Sequence, residues 1–239
     1  MPMPNRRCSS VVLGLCVFLA SAVHGIGADR PAASDVWRIA LGQPVAAIPD
    51  SFADFACGSN GGPPKLPLKG FEDYGSCPAE NSGLHEVYFR YDDELEYWAK
   101  ANNVPLLVAA SGTKVYDLPV IISALIDDTG IVEGLRLVSD PRDTSVPREN
   151  ARFLAPFLKA RFRAPGSEWA CENLPVEAGE TPVYGEFVKE DCALSRDGNQ
   201  YSLHTRYLRK AGEKAIDPHT GKPTEGQFES HVWFEMRQG

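Results

Sequence analysis

The chain has 239 residues, 43% of them hydrophobic and 23% charged, a globular balance that argues against a disordered or low-complexity protein. Its formal net charge of −8 argues against phosphate backbones and anionic lipid as partners, so no nucleic acid is expected.

Residues 1–28 read as a cleavable secretory signal. Arg6 and Arg7 precede the apolar run from Val11 to Val23, and the small residues Gly25, Gly27 and Ala28 follow it. The run is about 13 residues, against the roughly 20 that a membrane-crossing helix needs. Leu15, not a small residue, precedes Cys16, which argues against a lipid anchor there. The signal holds two of the 24 basic residues and none of the 32 acidic ones, so the mature chain is expected near −10. No later stretch is apolar enough to span a membrane. A soluble, periplasmic or secreted protein is expected.

Cys8 and Cys16 leave with the signal, and Cys57, Cys77, Cys171 and Cys192 remain. An even count in an exported chain implies disulfides. Three pairings are open. The spacing favours Cys57–Cys77 and Cys171–Cys192, each closing a loop of about 20 residues and worth on the order of 3 kcal/mol in loop entropy. A four-cysteine zinc site would want a C-x-x-C pair, which this chain lacks, so no metal is expected.

Asp35 can cap a brief helix through Val36, Trp37, Ile39, Ala40 and Leu41, ended by Gly42 and Pro44. The stretch from Cys57 to Pro64 is a loop by composition. It has neither of the glycine spacings that cradle phosphate, so no nucleotide cofactor is expected. Phe71, Tyr74 and the Cys77 bridge would pin its far end. Residues 84–99 read as a hairpin. Val87, Phe89 and Tyr91 alternate with polar neighbours, Asp92-Asp93-Glu94 turns, and Leu95 and Tyr97 resume the alternation. The acidic cluster there, with Glu96, lacks the pattern of a calcium loop. Ser111-Gly112-Thr113-Lys114 matches S-x-x-K, the nucleophile and lysine of penicillin-binding enzymes, but Val115 to Pro119 does not continue as the helix that this chemistry needs.

Residues 119–140 form the central hairpin of this reading. Two apolar, β-branched runs flank Asp127-Asp128-Thr129-Gly130. In a regular register Leu125, Ile131, Leu135 and Leu137 would share one face, and the other, half-covered face would carry Ser123, Asp127, Gly134 and Arg136 but also Ile122 and Val138. One main helix is expected at about 146–163. Ser145 would cap it, Pro156 would kink it, and Phe153, Leu154, Phe157, Leu158 and Phe162 would pack its apolar face. After the loop 171–192, the segments 200–210 and 227–237 read as paired strands. His204 and His231 lie on them, where the register decides whether they face each other and hold a metal.

The order helix, cysteine loop, strands appears twice. The expected fold class is therefore α+β: antiparallel β hairpins or a meander packed with one main helix, in two tandem α+β units. The first is residues 29–140, with cysteine loop 57–77 and hairpins 84–99 and 119–140. The second is residues 141–239, with the helix, cysteine loop 171–192 and strands 200–210 and 227–237. No H-E-x-x-H, G-x-S-x-G or H-x-H motif appears, so no catalytic residue is assigned. The expected function is non-catalytic binding, with another exported protein as partner and the cysteine-closed loops as contact surfaces. The alternative is a small secreted hydrolase whose residues converge from separate loops.

Overall fold

The computed structural model describes residues 35–48, 52–58, 68–91, 101–103, 113–116, 118–140, 151–166, 168–210, 215–216, 223–224 and 228–239. The expected signal at 1–28, the acidic turn Asp92-Asp93-Glu94 with Glu96, residue Ser111 and the expected helix start at Ser145 lie outside the described residues.

Among the described residues, period-two apolar patterning dominates and builds one antiparallel sheet of nine strands. In chain order these are β1 (Phe52–Cys57), β2 (His85–Tyr91), β3 (Lys114–Val115), β4 (Leu118–Ile126), β5 (Val132–Ser139), β6 (Ala170–Asn173), β7 (Val188–Arg196), β8 (Asn199–Arg209) and, last, β11 (Phe228–Gln238). Between β8 and β11, β9 (Ala215–Ile216) and β10 (Pro223–Thr224) make a separate two-stranded ribbon. Across the sheet the order is β1-β2-β4-β5-β11-β8-β7-β6, with β3 beside β4. Helical structure near the expected main helix amounts to 12 residues, a 3-10 turn (Ala151–Phe153) running into α1 (Leu154–Phe162).

This corrects the α+β expectation: among the described residues the fold is β-rich, and no main helix organises it. The physical reason is strand length. β4, β8 and β11 run for 9, 11 and 11 residues, and β11 pairs with β5 on one side and β8 on the other. Strands from both expected units therefore join one sheet, and neither unit builds its own helix-backed meander. Among the described residues no helix is long and apolar enough to cross a membrane.

The central hairpin forms, with Gly130 at φ +82° in its turn. Asp127 Oδ1 accepts the backbone N–H of Thr129 at 2.9 Å and of Ile131 at 2.8 Å, which closes the loop. Its faces differ from expectation. Ile122 opposes Leu137 and Ala124 opposes Leu135, so these four share the core face. Leu125 opposes Gly134 and lies on the other face with Ser123 and Arg136. The turn length and a bulge between Leu125 and Ile126 set this offset.

The core face gathers Phe89, Ile122, Ile126, Leu137, Leu203 and Phe234, all almost fully buried. The helix α1 covers it with Leu154, Ala155 and Leu158, and Phe162 stacks on Phe234 with ring centroids 5.1 Å apart. Phe153 and Phe157 stay 45% and 47% exposed and fall off this stripe. Pro156 sits in the first turn of α1, where its missing N–H would have no intrahelical partner, so it starts the helix instead of kinking it. β2 pairs with β1 on one side and β4 on the other, and the expected second arm of the 84–99 hairpin, with Leu95 and Tyr97, lies outside the described residues. Lys114 of the S-x-x-K match lies in β3, on a strand and not on a helix.

Candidate interaction surface

The structure joins Cys57 to Cys77 and Cys171 to Cys192, the two local pairs that the spacing favours. The first bridge ties the end of β1 to a 3-10 turn (Phe71–Ser76). There Phe71 makes edge-on contacts with Phe52, Phe55 and Phe89. The rest of that loop, residues 59–67, lies outside the described residues.

The second bridge closes a loop that is described throughout. Cys171 and Cys192 are directly opposed across the β6–β7 pair, with Cα atoms 4.0 Å apart. Beyond them Lys189 reaches into the loop from β7. Its Nζ donates to Glu177 Oε1 at 2.7 Å, to Glu180 Oε1 at 3.0 Å and to the Pro175 carbonyl at 3.3 Å. The bond to Glu177 holds the Lys189 ammonium above its usual range, and the Glu177 backbone N–H holds the Glu180 carboxyl below its own. Thr181 exchanges both backbone hydrogen bonds with Arg209 at the end of β8. Val183 is fully buried, and Glu186 pairs with Arg152 at 3.0 Å.

Between these anchors the chain reverses in two residues. Val183 and Glu186 exchange backbone hydrogen bonds at 2.9 Å, with Tyr184 at φ +48° and Gly185 at φ +82° between them. Tyr184 is 78% exposed and Val176, elsewhere in the loop, is 62% exposed. Chemically this is a stiff, solvent-facing platform that carries an aromatic tip.

The histidines take a different place. His204 lies opposite Trp233 and His231 opposite Arg206, so the two imidazoles are diagonal neighbours on the sheet face away from the core, not a facing pair. Each is turned to a carboxylate: His204 Nδ1 lies 2.8 Å from Asp191 Oδ1, and His231 Nδ1 lies 2.9 Å from Glu229 Oε1. Burial pushes His231 below its usual range, more than Glu229 raises it. Burial alone would raise Asp191, but bonds from Arg206 and His204 outweigh it and hold that carboxyl low. Among the described residues no hydroxyl is hydrogen-bonded to either imidazole. On the same face Arg136 joins Glu80, Glu86 and Glu235, and beside it Ala79, Glu80, Asn81, Ser82 and Arg237 line an open hollow of about 560 Å³. The donor atoms of Cys171, Glu190 and Cys192 lie within 4.8 Å of one another, but both sulfurs are spent in the disulfide.

No family model matches this chain, and neither curated proteins nor solved structures show a similarity to it.

The site must therefore be read from its own residues. Reading the sequence located the loop through its cysteines but missed Tyr184. The available signal was the Tyr184-Gly185 dipeptide between Val183 and Glu186, a short strand–turn–strand pattern. The same kind of signal, Asp197-Gly198, marks the β7–β8 hairpin and was missed with it.

Proposed function

We propose that the protein is exported, loses its leader, and binds another exported protein through the Cys171–Cys192 loop without catalytic chemistry of its own. Two disulfides fit an oxidising compartment. The observation that carries the reading is the construction of the loop. A disulfide, the Lys189 clamp and the buried Val183 hold it stiff, yet Tyr184 and Val176 face solvent. Recognition residues are commonly carried on loops fixed to a rigid scaffold, and pre-ordering lowers the entropic cost of binding.

The hydrolase alternative keeps one specific observation, the Asp191–His204 pair, which has the form of an oriented general base. It needs a nucleophile beside the imidazole, and none of the described hydroxyls is bonded there.

Site-specific photo-cross-linking tests the proposal. A photoreactive side chain at Val176 in the full-length chain, irradiated in extract from the exported fraction, is expected to give a discrete adduct. The same probe at exposed Glu72, on the Phe71–Ser76 turn, is expected to give none. Equal adducts at both positions, or hydrolytic activity abolished by His204→Ala, would turn the reading over.

A further inference from the structure

Resting on that reading, we infer that Tyr184 is a strained anchor, held out to fill an apolar socket on a partner protein whose rim is basic. The inference starts from a comparison inside the chain. Among the described residues two hairpins turn through two residues with φ positive at both: Asp197-Gly198 at +54° and +78°, and Tyr184-Gly185 at +48° and +82°. Mirror-image turns of this kind select Asn, Asp or Gly at the first position, because a larger L side chain crowds the neighbouring carbonyl there. The β7–β8 hairpin obeys that selection with Asp197. The loop hairpin breaks it with a tyrosine.

Packing does not account for the exception. Tyr116 also has a positive φ, but its ring stacks on Phe157 with centroids 5.0 Å apart. The ring contact of Tyr184 is with the Arg209 guanidinium, 6.0 Å from its centroid, and the residue stays 78% exposed. At the 6.0 Å limit of such contacts and largely exposed, the Arg209 contact is a small return for a strained backbone that an asparagine would relax. Strain of this kind persists where the displayed side chain is used. A tyrosine on a rigid mount offers large apolar area with few rotors to freeze, which is why tyrosine is over-represented among the residues that dominate binding energy.

Charge sets the partner class. Between Cys171 and Cys192 the chain has Glu172, Glu177, Glu180, Glu186, Glu190 and Asp191, against Lys189 as its one basic residue. Arg152, Lys159 and Arg206 from neighbouring elements pair with Glu186, Glu190 and Asp191. Lys189 is shared by Glu177 and Glu180, and Glu172 is exposed on the outer strand β6. Arg209 lies against the Tyr184 ring, so the surplus negative charge of the loop sits behind the tip, on Glu172 and on the Glu177–Glu180 pair that shares one lysine, in a chain whose net charge is −8. Lys and Arg around the socket complement it and steer the encounter.

Tyr184→Asn separates anchor from scaffold. In the full-length chain it is expected to raise Tm by about 2–4 °C as the turn relaxes, and to cut the adduct formed from a photoreactive side chain at Val176 at least tenfold. The adduct from the parent chain is expected to weaken as salt is raised. A Tm that falls or stays level overturns the strain. Equal adducts from the parent chain and the Tyr184→Asn variant overturn the anchor while leaving loop-mediated binding in place, and an adduct indifferent to salt overturns the basic rim. No adduct even from the parent chain overturns the binding reading, and the anchor with it.

Discussion

Arg136 on β5 donates from Nε to Glu235 Oε2 at 2.8 Å, its direct neighbour across the β5–β11 pair. The same guanidinium donates from Nη1 and Nη2 to the two oxygens of Glu80, at 2.6 and 3.1 Å. Glu235 is in turn bonded by Arg237. One buried cation therefore ties the loop before β2 to the middle of the sheet.

Glu86 is the odd member of this group. Its Oε1 lies 3.0 Å from Arg136 Nη1 but off the hydrogen-bonding direction. Burial pushes its carboxyl up, against the pull of the guanidinium. Arg136→Met strands two well-bonded carboxylates and is expected to cost about 3–5 kcal/mol. Glu86→Gln removes a charge that is poorly bonded and is expected to be near neutral. Urea unfolding of both variants checks the contrast, and equal losses would mean that Glu86 is a full partner.

His85 and His231 are expected to pull stability in opposite directions with pH. His85 Nδ1 faces the Cys77 carbonyl at 2.7 Å and Nε2 faces Asp128 Oδ1 at 2.9 Å. Both partners only accept, so both nitrogens must donate, which is the imidazolium form. The Asp128 bond accordingly raises His85 above its ordinary 6.5. Its contribution is complete below that value and is lost as pH rises through the raised one. His231 is lowered by burial, so the unfolded chain takes up its proton first, and stability is lost as pH falls below 6.5. Tm profiles over about pH 5.5–8.5 check both signs. Asp128→Asn is expected to flatten the alkaline side, and His231→Gln the acidic side.

The strands of this fold were legible because their apolar residues alternate over long runs: Ile122, Ala124 and Ile126 in β4, and Val232, Phe234 and Met236 in β11. Cysteine spacing likewise pointed to both bridges. What periodicity does not carry is which strands lie side by side. The β5–β11 neighbourhood joins residues about a hundred positions apart, and no local signal encodes it. The short helix misled because Phe153 and Phe157 look like core residues at helical spacing, whereas the buried stripe is Ala151, Leu154, Ala155 and Leu158. β7 was missed because Lys189, Glu190 and Asp191 break its apolar alternation. Their partners Glu177, Lys159 and Arg206 belong to other elements and are invisible from the strand alone.

Thiol reductants are expected to open Cys171–Cys192 before Cys57–Cys77. Each bridge has one buried member, Cys192 and Cys77, but Cys171 lies on the outer strand β6, which is exposed along its length, whereas Cys57 is half-buried. Exchange requires a thiolate to reach a sulfur, so access ranks the two bonds. Timed alkylation after mild reduction, followed by peptide mapping, reads the order. Once open, the loop loses the constraint that a bridge of this span supplies, about 3 kcal/mol by loop entropy, and its protection from proteolysis should fall.

Gly134→Ala is expected to destabilise the protein by about 1–3 kcal/mol, although the site is a regular strand position with no backbone strain. Gly134 sits where β5 passes between β4 and β11, opposite Leu125 on one side and Arg237 on the other. A Cβ added there would lie 2.8 Å from the Met236 carbonyl oxygen and 3.0 Å from Leu125 Cδ1. The leucine can be trimmed but the carbonyl cannot, since it belongs to the backbone of β11. Leu125→Val in the same chain is therefore not expected to restore stability. Gly75→Ala is the control, because nothing lies within 4 Å of a Cβ at that position. Chemical denaturation of the three variants decides it: recovery on trimming Leu125 would move the obstacle from the carbonyl to the side chain.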